Sequence, residues 1–156
     1  MNINIVYFSK YGNTQKLAEA LAESLNTKAV THLFSLDQLP NSNWHEADLI
    51  FMGSPTHNMN LPEAVRPVLA SLPRKILPKT PVAAFDTSYK MSPWLSRFSA
   101  ANKLASKLRK LGGKLIVAPE TFYVMGKEGP LYEGEIQRAQ SWALAILERM
   151  HPEAGN

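Results

Sequence analysis

Four short runs, Ile3 to Phe8, Ala47 to Met52, Val82 to Phe85 and Lys114 to Ala118, are almost continuously apolar rather than alternating. A strand with one face in water alternates. One covered on both faces does not, so these runs predict strands of a parallel sheet clad by helices on each side. Thr27 to Leu33 is a weaker fifth candidate. Between the runs lie segments of helical period. Asn13 to Leu25 places Leu17, Leu21 and Leu25 on one stripe, as an amphipathic helix requires. A short turn around Leu36 to Leu39 stands where a second helix would. Pro62 suits the first position of a helix running to about Leu72, with Pro67 expected to kink it or delay its start. Ser92-Pro93 reads as a cap and first turn. From there Leu95, Phe98, Ala101, Leu104, Ala105, Leu108 and Leu111 predict one helix stopped by Gly112-Gly113. A last helix carries Ile136, Ala139, Ala143, Ile146, Leu147 and Met150.

Strand and helix thus alternate five times, with no internal repeat. This predicts one three-layer, doubly wound, five-stranded parallel sheet over residues 1–156. Ligands of such sheets bind outside the carboxyl ends of the strands. Three loops therefore matter: those after Phe8, Met52 and Phe85.

Composition narrows the chemistry. There is no cysteine among the 156 residues, which excludes thiolate chemistry and cysteine-held clusters. The four histidines lack metal-ligand spacing. The N-terminus reads as no signal peptide, and no apolar stretch approaches a membrane span, so a cytoplasmic protein is expected. With 17 basic and 13 acidic residues the net charge is +4, too small an excess to imply nucleic acid. The basic run Lys103 to Lys114 has few aromatics and recurs at helical spacing, and is read as a solvated helix face.

The first loop, Ser9-Lys10-Tyr11-Gly12-Asn13-Thr14, leads straight into a helix. Small hydroxyl residues, one glycine and a helix N-terminus converge amide donors and a partial positive charge on one point, which suits a phosphate. It is neither the Gly-Lys-Ser/Thr loop of nucleotide hydrolases nor the dinucleotide fingerprint. A second reading stays open, in which Ser9 and Asn13 merely cap the helix. The next loop, Gly53-Ser54-Pro55-Thr56-His57-Asn58, combines close backbone approach at Gly53 with a stiffening proline. His57 is either a solvent-exposed loop residue or a group stacked on a flat ligand. The third loop is Asp86-Thr87-Ser88-Tyr89, whose tyrosine is either a half-buried surface aromatic or a second stacking group.

Ser-x-Tyr-Gly-Asn-Thr after the first strand resembles the FMN-phosphate loop of flavodoxins, and the other two loops resemble those that hold the flavin ring in that family. The resemblance spans essentially the whole chain. It implies strand order 2-1-3-4-5, FMN as cofactor and electron transfer as the role. Its binding residues would be Ser9, Lys10, Tyr11, Gly12, Asn13, Thr14, Ser54, Pro55, Thr56, His57, Asn58, Asp86, Thr87, Ser88 and Tyr89. The pattern departs where many flavodoxins carry tryptophan and glycine and this chain has His57 and Asn58. The segment from Glu120 to Leu131 is too short for the inserted subdomain of long-chain flavodoxins; Lys127, Glu128 and Tyr132 in and beside it are candidates to approach the ligand or a partner. No residue is read as a catalytic acid or base, and no metal is expected. The basic balance implies redox partner proteins with acidic docking surfaces. The alternative is an FMN-dependent enzyme, either an NAD(P)H-dependent quinone or flavin reductase or a flavodoxin-like porphyrinogen oxidase. A receiver domain of the same topology needs clustered carboxylates where Ser9-Lys10 stands.

Overall fold

A computed structural model describes residues 1–151. Its strands are β1 (Asn2–Tyr7), β2 (Val30–Ser35), β3 (Leu49–Pro55), β4 (Pro81–Ser88), β5 (Lys114–Leu115) and β6 (Glu120–Tyr123). Its helices are α1 (Asn13–Leu25), α2 (Val65–Ser71), α3 (Pro93–Ser96), α4 (Ala100–Lys110) and α5 (Glu135–Met150), and a 3-10 turn spans Leu36–Asn41. All strands are parallel, in the order β2-β1-β3-β4-β5, with β6 also on β4. The predicted doubly wound topology and strand order are therefore present.

The period-two alternation of the strands sorts side chains between two cores. On one face Ile3, Ile5, Phe51 and Phe85 pack with Leu17, Leu21 and Ala143 under α1 and α5. On the other, Val6, Ile50, Met52 and Ala84 meet Leu69, Leu104 and Leu108 under α2 and α4. Asn4, a polar residue in a buried strand, is satisfied by donating from Nδ2 to the Trp44 carbonyl at 2.7 Å.

Four elements depart from the runs and periods read in the sequence, each for a physical reason. The fifth strand is interrupted. Val82 pairs with Leu115, but Phe85 pairs with Glu120, so two extra residues leave the ladder around Pro119, which has no N–H to contribute. α2 begins at Val65 rather than Pro62, the delayed start expected of Pro67, which thereby falls in the first turn, where the missing donor does no harm. The helix expected from Ser92 breaks in two. Ser99, buried, caps α4 by accepting from the Asn102 N–H. The Ala100 and Ala101 amides turn to Thr56 and Asp86. β2 also starts three residues later than expected, because residues 27–29 finish the turn after α1. No helix among the described residues is long and apolar enough to cross a membrane.

Candidate cofactor site

The three strand-end loops surround one pocket of about 330 Å³, within the roughly 300–1,000 Å³ usual for small-molecule sites. Its walls are Ser9, Lys10, Tyr11, Asn13 and Thr14 from the first loop, Pro55, Thr56, His57 and Asn58 from the second, and Thr87, Ser88 and Tyr89 from the third. Gly12, Ser54 and Asp86, also expected in the site, are not part of this lining; Ser54 and Asp86 are buried.

Gly12 is the N-cap of α1 with φ +93°, and no described side chain caps that helix. Ser9 Oγ instead accepts from the Gly12 N–H at 3.1 Å, and Asn13 Nδ2 donates to the Glu128 carbonyl at 3.2 Å. Simple capping by Ser9 and Asn13 is thus replaced by a helix end whose first-turn amides are left to the pocket side, with the partial positive charge that implies. Thr14, buried, shares a 2.9 Å hydroxyl–hydroxyl hydrogen bond with Thr87, tying the first loop to the third.

The second loop closes as a two-residue hairpin. His57 and Asn60 exchange both backbone hydrogen bonds, while Asn58 (φ 48°) and Met59 (φ 58°) are both left-handed. Asn tolerates this region and Met does so poorly, so the hairpin holds local strain. Where the family often has glycine, Asn58 already adopts a glycine-like conformation. Gly53 makes the close approach its identity suggested, but to protein: a Cβ there would lie 2.2 Å from the Phe85 ring across the β3–β4 ladder. His57 is held below the ordinary imidazole range, first by burial and then by the charges of Lys10 and Lys127.

Asp86 and Thr87 point to opposite faces of β4, as alternation demands. Thr87 meets α1; Asp86, fully buried, meets α4. Its Oδ2 accepts from the Thr56 hydroxyl at 2.6 Å and the Ala101 N–H at 3.1 Å, and the Thr56 oxygen accepts from the Ala100 N–H at 2.8 Å. Asp86 therefore positions Thr56 rather than lining the pocket. Burial pushes its carboxyl above the usual range, opposed by these hydrogen bonds. A carboxyl raised on folding contributes stability at acid pH that is lost as pH rises through its folded value. Asp86→Asn keeps an acceptor for both donors and removes the charge. The variant is expected to gain stability relative to the native chain as pH goes from about 4 to neutral. Urea midpoints across that range test this, and a difference constant with pH would contradict it.

The segment after β6 supplies residues the strand-end loops do not. It leaves at Tyr123 and returns by the Val124–Leu131 bridge and a Tyr132 N–H to Tyr123 carbonyl bond of 3.0 Å. Val124 and Lys127 line the pocket, Glu128 contributes its carbonyl to Asn13, and Tyr132 lies under the Lys90 ammonium at 4.4 Å. Lys127 had a sequence signal as a charge near a loop. Val124 had none, being one more apolar residue beyond a strand. The pocket wall thus carries Lys10, Lys127 and His57 and, among the described residues, no carboxylate. The exposed aromatic side chain of Tyr89 is part of its lining.

These features define a parallel α/β domain with a polar, cationic pocket at the carboxyl ends of its strands. The chain belongs to the flavodoxin family, whose cofactor is FMN: the flavodoxin domain matches residues 4–123. Among solved structures it is similar to flavodoxin 2 from Bacillus cereus, with 20% identity, TM-score 0.75 and 96% and 99% of the two chains covered. It is similar also to a short-chain flavodoxin associated with a PDU bacterial microcompartment, at 16% identity, TM-score 0.74 and coverage of 96% and 98%. Rubredoxin:oxygen oxidoreductase from Desulfovibrio gigas matches over 99% of this chain but 37% of its own, at 19% identity and TM-score 0.70. No curated protein matches the chain in sequence.

Proposed function

We propose that the chain holds FMN in this pocket and passes electrons between protein partners, with no substrate of its own. The observation that carries the reading is the convergence of three strand-end loops on one pocket beside the uncapped N-terminus of α1. The residues fit the cofactor. Ser9, Lys10 and Thr14, with the first-turn amides of α1, would hold the phosphate. His57 and Tyr89, on opposite loops, would flank the ring, and Pro55, Thr56, Thr87 and Ser88 would frame its polar edge. Bound FMN supplies the one- and two-electron chemistry; the protein sets its potential and access.

The chain's own contribution is a positive field. FMN phosphate brings about −1.5 to −2 charges, which leaves the complex near +2 from a chain of +4. Lys10 and Lys127 favour a negatively charged reduced ring, so the second reduction potential is expected to be less negative than in carriers that surround the flavin with carboxylates. Purified protein should release FMN on heating, and a redox titration reads the potential. Rapid turnover of NADPH and a quinone by the isolated protein would overturn the carrier reading, and a strongly negative second potential would overturn the field argument.

A further inference from the structure

The flavin pocket does not end at the second loop. On the other side of the His57-Asn58 hairpin lies a cavity of about 650 Å³. It shares Lys10, His57 and Asn58 with the first pocket and adds Phe8, Asn60 and Arg66. Through Leu61 and Arg66 it joins a third cavity of about 290 Å³ between α2 and α4. We propose that the three form one groove, leading from the flavin along α2 and α4, and that it receives an acidic segment of a redox partner that also carries apolar side chains.

The groove's chemistry selects that occupant. Lys103, Lys107 and Lys110 recur at i, i+4 and i+7 on α4, on one edge of the third cavity. Among the described residues none of the three has a carboxylate within ion-pair distance. The solvated face expected of this basic run is therefore split: Arg109 and Lys114 stay off the groove, while Lys103 and Lys107 are half-buried, laying their stems along it. Lys10 and Arg66 carry the positive charge on to the flavin. Among the described residues of the lining the opposing charge is Glu63, exposed and 4.0 Å from Arg66.

The floor decides between anionic partners. It is aliphatic, with Leu61 and Leu69 buried and Ala70 beside them. Single-stranded nucleic acid binds on aromatic stacking platforms, which the α2–α4 cavity lacks. A lipid surface is broad, whereas this site is concave between two helices, the form that accepts a peptide laying its apolar side inward. A second copy of the chain brings another +4 and is repelled. Complementary charge steers such a partner to the flavin end of the groove.

This inference rests on the carrier reading, and the test separates the two. The probe is a fluorescently labelled synthetic peptide with Leu and Glu at helical spacing, titrated against FMN-loaded protein. Comparison probes are the same peptide with Leu replaced by Ser, an oligothymidine, and vesicles of phosphatidylglycerol and phosphatidylcholine. The Leu-Glu peptide should bind most tightly and lose at least about tenfold in affinity to the Lys103→Glu/Lys107→Glu/Lys110→Glu variant and to added salt. The Lys103→Gln/Lys107→Gln/Lys110→Gln variant, with the same fold and no reversed charge, should lie between. Equal binding by the charge-reversed variant, by the Ser peptide, by oligothymidine or by vesicles would overturn the groove. Flavin absorbance in the same samples reads the carrier claim separately: colourless protein that still binds the peptide would break the carrier reading and leave the acidic-segment site standing.

Discussion

Replacing Ser9 with Asp is expected to weaken FMN binding by at least about 100-fold, ~2.7 kcal/mol, and to leave riboflavin binding nearly unchanged. Ser9 Oγ accepts from the Gly12 N–H at 3.1 Å, and an aspartate can keep that acceptor, so the loop need not unfold. What it adds is a negative charge beside the α1 N-terminus. Like charges brought together out of water cost several kcal/mol, and the phosphate carries about −1.5 to −2. Riboflavin has the same ring and no phosphate, so it isolates the effect. Calorimetric titration of both ligands reads the difference. If the two lose affinity equally, the phosphate does not sit on this loop.

The second large effect lies behind the pocket. Gly53→Ala places a methyl group where the Phe85 ring already is, 2.2 Å from its nearest atom. Neither strand can yield easily. Gly53 pairs with both Tyr7 and Phe85 in the middle of the sheet, and the Phe85 ring is itself held edge-on to Phe122 and Trp142 at 6.4 and 6.2 Å. Overpacking of such a core is expected to cost about 3 kcal/mol, a large part of the 5–15 kcal/mol that holds a domain together. Adding Phe85→Leu should return part of the loss, with a coupling of about 1–2 kcal/mol in urea unfolding. Strictly additive effects would show that the ring is not the obstacle.

Much of this was legible in the chain itself. The sheet could be read because buried parallel strands leave unbroken apolar runs. The pocket could be read because hydroxyl and glycine residues follow three of those runs directly. What was hidden depended on partners far away in sequence. Ser92-Pro93 is a sound helix start, and nothing local says that the longer helix begins again at Ser99; the reason is Thr56 and Asp86, 44 and 15 residues from the amides they engage. Asp86 itself was grouped with its neighbours as a ligand-facing residue. Yet strand alternation already places it on the α4 side, with Ala84, whereas Phe85 and Thr87 face α1. The groove was hidden differently. Helical spacing shows which lysines share a face, but not that Leu69 of α2 and Leu61 from the segment before it lie beside them.

The Thr56–Asp86–Ala100 arrangement has a mechanical consequence. One hydroxyl in the pocket wall receives the first amide of α4 and donates to the carboxylate that receives the second. The helix bearing Lys103, Lys107 and Lys110 is thus bolted at its end to the pocket, without a flexible linker between them. Under the proposed binding and docking, a protein seated on those lysines and a flavin seated against Thr56 would bear on the same joint.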